Sequence, residues 1–91
     1  MIFEYNKIKS DSNKQKHGID FEEAKKLWND NFAFEIKSKN SIDEDRFLVI
    51  GKIKNKVYTA IITYREDKIR IISVRRSRKK EEELYESITN R

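Results

Sequence analysis

Through most of its second half the chain alternates apolar and polar residues with a period of two, which predicts strands at Arg46 to Lys54, Val57 to Arg65 and Lys68 to Arg76. The short links Asn55-Lys56 and Glu66-Asp67 would force antiparallel neighbours. If both are two-residue loops, Arg46 pairs with Arg65, Tyr58 with Arg75 and Arg65 with Lys68. One face of the sheet then carries Phe47, Val49, Gly51, Ile53, Tyr58, Ala60, Ile62, Tyr64, Ile69 and Ile71, a core surface on which helices should pack. The other carries Arg46, Lys52, Lys54, Thr59, Thr63, Arg65, Lys68, Arg70 and Arg76 around Leu48, Ile50, Ile61, Ile72 and Val74. A one-residue bulge would exchange the two sets beyond it.

The first half reads differently. Met1 to Tyr5 suits a short strand, and Asn6 can cap a polar helix running to about His17. Gly18 and Ile19 then form a helix stop, because glycine takes φ > 0 freely and an apolar residue after it packs back. Asp20 caps the next helix, about Phe21 to Trp28, and Glu23 three residues on completes a capping box. Phe21, Ala24, Leu27 and Trp28 recur on its inner face, so Phe21 and Trp28 read as core rather than as platforms for stacked bases. Asn29-Asp30-Asn31 stops the helix, Phe32 to Lys37 alternates as a further strand, and Ser38 to Asp45 is polar loop. Behind the basic run Arg75 to Lys80, a last helix at about Glu81 to Ile88 starts with acidic residues that complement the helix dipole, and Tyr85 lies on its apolar stripe. The pattern is that of an α+β fold with a mostly antiparallel sheet, two N-terminal helices and a C-terminal helix.

Composition narrows the chemistry. Ninety-one residues are enough for a single domain over the whole chain, 1–91, with a modest core. Without cysteine there is neither a disulfide nor a thiolate metal site, and one histidine makes a histidine-rich zinc site implausible, so no metal or other cofactor is expected. No signal-like or membrane-spanning apolar run occurs, and a cytoplasmic location is expected. A formal charge of +5 favours an anionic partner, either nucleic acid or an acidic protein surface.

Three blocks carry a resemblance. They are Asn13-x-x-Lys16-His17-Gly18-Ile19-x-Phe21-Glu22-Glu23-Ala24; Asp45-Arg46 followed by Ile50-Gly51; and Thr63-Tyr64-Arg65, then Arg70 to Arg76, then Ser77-Arg78-x-x-Glu81-x-x-x-Tyr85. In order and spacing the chain resembles, over nearly its whole length, the BrnT family of bacterial type II toxins. The resemblance implies a RelE-like fold, ribonuclease activity that restrains translation, and neutralisation by a cognate antitoxin, BrnA-like and dimeric, through which alone operator DNA would be met. Two positions depart from the family pattern: Ser77 stands where alanine is common, and Glu82 where a basic residue is common.

Metal-free RNA cleavage needs a proton acceptor for the 2′-hydroxyl, a donor for the leaving 5′-oxygen and cations on the phosphorane-like transition state. His17 is the acid/base candidate, since imidazole titrates near neutrality; a helix C-terminus favours its charged form and the adjacent Lys16 opposes it. Arg65 and Arg75 are the candidate transition-state clamps, because the planar guanidinium matches phosphate oxygens bidentately. Lys16, Arg46, Arg70, Arg76 and Arg78 read as RNA-positioning cations. Glu44 and Asp45 could act as bases, but loop carboxylates beside an arginine more often form ion pairs. A noncatalytic RNA- or protein-binding module is the rival reading.

Overall fold

A computed structural model describes residues 1–39 and 43–90 of the chain. The part of the expected polar loop at 40–42 lies outside the described residues. In chain order the elements are β1 (Ile2–Glu4), α1 (Lys7–His17), α2 (Phe21–Ala24) continued by a 3₁₀ turn (Lys25–Asn29), β2 (Phe34–Lys37), β3 (Phe47–Ile53), β4 (Lys56–Arg65), β5 (Lys68–Arg76) and α3 (Lys79–Thr89). The five strands form one sheet in the order β1-β5-β4-β3-β2, antiparallel except for β1, which runs parallel to β5. The fold is α+β, as the sequence pattern predicts.

Local chemistry sets the helix ends. The Asn6 side chain accepts from the Lys9 amide at 3.0 Å and starts α1; Gly18, at φ 75, ends it by donating its N–H to the Lys14 carbonyl at 2.9 Å. Asp20 and Glu23 complete the capping box of α2 at 2.8 and 3.1 Å. The expected single helix from Phe21 to Trp28 is instead one α-turn followed by the 3₁₀ turn. Three residues per turn keep Ala24, Leu27 and Asp30 in one line, which seats Leu27 fully in the core and brings Asp30 to the sheet.

The sheet corrects the expected register in two places. The β3–β4 turn is Lys54-Asn55, with Ile53 opposite Lys56, so Phe47 faces Ile62 and the expected Arg46–Arg65 pair does not form. Because this shift is of two residues, the face of every side chain is preserved. Between β4 and β5 the pairs Arg65–Lys68, Thr63–Arg70 and Ile62–Ile71 follow the expected register up to a bulge, beyond which Ile61 faces Ser73, Thr59 faces Arg75 and Tyr58 faces Arg76. The extra residue turns over everything after it. Val74, expected on the basic face, is fully buried in the core; Arg76 moves to the core face beside Tyr58, and Arg75 moves to the opposite face with Arg65 and Arg70.

α1 and α2 cover the core face, where Phe21, Leu27, Ile62, Ile71 and Val74 are almost completely buried. Each such side chain contributes about 1.5–3 kcal/mol by leaving water. Asn13 stitches α1 to β5: its amide donates to the carbonyls of Ile19 and Val74 at 2.8 Å, and its oxygen accepts from the Val74 amide at 3.3 Å. α3 departs from the expectation that all helices share one face. It lies on the other side of the sheet, where Tyr85 packs with Ile50, Val57 and Phe34 and leaves the Arg65–Arg70 half of that face uncovered by α3.

Candidate active site

β5 ends between two chemically different surfaces. On one side, Arg75 projects beside Thr59 and is gripped by α3: its two terminal nitrogens donate to the two Glu81 oxygens at 2.8 and 2.9 Å. Oε1 of Glu81 also accepts from the Arg78 amide at 2.8 Å and the Thr59 hydroxyl at 3.0 Å, and Thr59 shares a 2.8 Å bond with Ser77. These donors, Arg75 foremost, hold the Glu81 carboxyl down at about pKa 2 despite its burial. The fourfold demand fixes the whole arrangement. Arg75 keeps its Nε–H and one Nη2 hydrogen unengaged among the described residues.

On the other side, Arg76 lies over the Tyr58 ring at 5.7 Å, and α1 delivers its C-terminus to the same strand end. Asn13 contacts Val74, and His17 is four residues further along the helix, about 6 Å. His17 is exposed and makes no side-chain hydrogen bond or ion pair among the described residues. Lys16, Arg46 and Arg78 are likewise exposed and free of ion pairs among those residues. Beside His17, Gly18 borders a cleft of about 340 Å³ that runs from Glu23 and Lys26 to the Lys54-Asn55-Lys56 turn, with Tyr58 in its lining.

The arginines named from sequence do not converge on one point. Arg65 faces Lys68 at the start of β5, so Arg65 and Arg75 stand seven residues apart along that strand, roughly 23 Å. Arg65 pairs loosely with Glu44 at 3.5 Å, Arg70 with Glu4 at 3.7 Å and Lys37 with Asp45 at 3.5 Å; Glu44 and Asp45 are thus ion-pair partners. Arg65 and Arg70 mark one end of the face, and Arg75 marks the other. Tyr85 is 3 % exposed and donates to Asp30 at 2.6 Å; burial and this bond push its hydroxyl up to about 12 and assign it to packing. The residues not singled out from sequence are Thr59, Tyr58 and Lys26, together with Glu81 as the partner of Arg75. Glu81 three residues after the Arg78 cap was the signal available for that pair.

The protein thus carries guanidinium groups on one sheet face and an exposed imidazole at the end of α1, near the C-terminal end of β5. The sequence matches the family described as "Ribonuclease toxin, BrnT, of type II toxin-antitoxin system" over residues 5–81, and the chain belongs to that family. No curated protein matches it. A ribonuclease toxin of a type II system has an antitoxin protein as its partner. No helix among the described residues is long and apolar enough to cross a membrane.

Proposed function

We propose that the chain is a metal-independent endoribonuclease that cuts cellular RNA at the C-terminal end of β5, restrains translation, and is silenced by a dimeric, DNA-binding, BrnA-like antitoxin. The observation that carries this reading is the bulge in β5. By exchanging the sides of Arg75 and Arg76, it sets Arg76 on the α1 side beside Tyr58 and Arg75 on the α3 side, so that an RNA strand crossing this strand end would meet a clamp, a further cation and His17 in turn.

In the proposed reaction the 2′-oxygen attacks the adjacent phosphorus, its proton passes to a base, and the P–O5′ bond breaks as the leaving oxygen takes a proton. The products are a 2′,3′-cyclic phosphate and a 5′-hydroxyl. His17 is the proposed proton-transfer group. Arg75, held rigid by Glu81, offers preorganised N–H groups to the transition state, and no reorganisation is needed at the moment of reaction. Arg65 and Arg70 are too far along the strand to share that phosphate and take positioning roles with Lys16, Arg46, Arg76 and Arg78.

Cleavage in chelator, with cyclic or 3′-phosphate end groups, is the expected outcome for the purified chain. Arg75→Lys should lower the cleavage rate roughly ten- to a thousandfold with a smaller loss of RNA binding. A 3′-hydroxyl product with strict magnesium dependence would sink the mechanism. One observation favours a second reading, a noncatalytic binding module: the charge of Arg75 is already matched by Glu81. RNA bound tightly but left intact, with His17→Ala changing nothing, would select it.

A further inference from the structure

We propose that the cleft between α2 and the β3–β4 turn is a second contact site for the RNA strand, holding a backbone phosphate on Lys26, Lys54 and Lys56 while the adjacent base lies against Tyr58. This rests on the ribonuclease reading and extends the path of the strand beyond the point of cleavage.

Four features of the cleft point to a nucleotide. Its volume, about 340 Å³, falls within the range of small-molecule sites. Its three lysines form no close ion pair among the described residues; Lys26 also attracts Glu23 across the lining, while Lys54 and Lys56 present their charge to a ligand. The carboxylate in the lining, Glu23, is already bound by Lys14 at 2.6 Å and by the Asp20 amide at 3.1 Å, which hold its pKa down and offset its repulsion of an anion. Tyr58, half-buried, carries Arg76 over its ring, and an aromatic beside a guanidinium is the combination that stacks on bases without regard to sequence.

Two more observations tie the cleft to the strand end. Gly18 borders it, so the neighbouring His17 stands near its rim, and a strand that crosses the end of β5 from the Arg75 side past His17 would reach it. Lys54 occupies a left-handed backbone position, φ 58, that glycine would take without strain. A charged side chain is therefore presented at the cleft mouth from a position where local preference favours none.

That strain supplies a clean test, because Lys54→Gly removes the charge while relaxing the turn. Binding of a fluorescent 2′-O-methyl RNA 12-mer, which lacks the attacking hydroxyl, would be followed by anisotropy across a salt series. For Lys54→Gly combined with Lys56→Gln, affinity should fall about tenfold and the slope of log K against log salt should flatten by about 1.4, two contacts at about 0.7 each on a single strand. Thermal midpoints equal to or above the parent would show that the variant is folded. Lys9→Gln with Lys39→Gln, exposed lysines outside the cleft, should stay within twofold of the parent.

A nucleoside monophosphate that competes only weakly supports a site for the polymer rather than for free nucleotide; equally strong competition overturns the strand assignment. Equal losses in the control pair, or a cleft variant that binds as the parent does, would overturn the proposal while leaving the ribonuclease reading intact if the parent still cuts RNA. A parent chain that neither binds nor cuts RNA would remove both.

Discussion

Glu81 shows how one carboxylate can organise a strand end. It accepts four hydrogen bonds from three side chains or amides, and its folded-state pKa of about 2 lies below the ordinary 4.5. A depressed carboxylate pKa means that the unfolded chain binds the proton more tightly. The stabilisation is therefore present in full above about pH 4.5 and is lost as the pH falls toward 2. Its size should be about 2 kcal/mol once solvent screening is allowed for. Urea unfolding of the parent should accordingly weaken through that window, whereas Glu81→Gln should start less stable and show a flatter profile there. Identical pH profiles for the two proteins would mean that the Arg75–Glu81 pair contributes nothing to the fold.

At the scale of elements, the seam between β3 and the 3₁₀ turn is the tightest packing in the structure to involve a glycine. A Cβ at Gly51 would sit 3.0 Å from the Ala33 Cβ and 3.2 Å from Leu27, with Asp30 at 3.4 Å. Asp30 is itself anchored there: burial alone would raise its pKa, but donation from Tyr85 and from the Phe32 and Lys52 amides holds it low. Gly51→Ala should cost about 1–3 kcal/mol through overpacking, read as a lower urea midpoint. An unchanged midpoint would show that the seam can open freely.

What was legible in the sequence follows the same division. The Asn6 cap, the stop at Gly18 and the Asp20–Glu23 box depend on neighbours within four residues, and they stand as read. The bulge depends on how two strands pair at a distance and leaves no mark in the residues themselves, so the faces of Val74, Arg75 and Arg76 were reversed. The residue types of the candidate site were legible; the separation of Arg65 from Arg75 and the pairing of Arg75 with Glu81 were not. Both came from tertiary placement.

For the whole molecule, the sheet face that α3 leaves uncovered is where an inhibitor would act. Ile36 is 37 % exposed and pairs in register with half-buried Leu48, while Arg65 and Arg70 stand further across the same face, loosely held by Glu44 and Glu4. A family partnered by an antitoxin needs a way to be silent when bound, and covering this apolar and basic surface is the most direct one. Arginines buried without partners would be costly, so the covering segment should bring paired carboxylates, with charge attraction speeding association. Hydrogen exchange of the free chain against its antitoxin complex should then show new protection on β2, β3 and the Lys68 end of β5, and association should slow as salt rises. Protection confined to β1 and the outer surfaces of α1, with the arginine face still exchanging freely, would mean that inhibition does not work by occlusion and that this face is not where RNA is held.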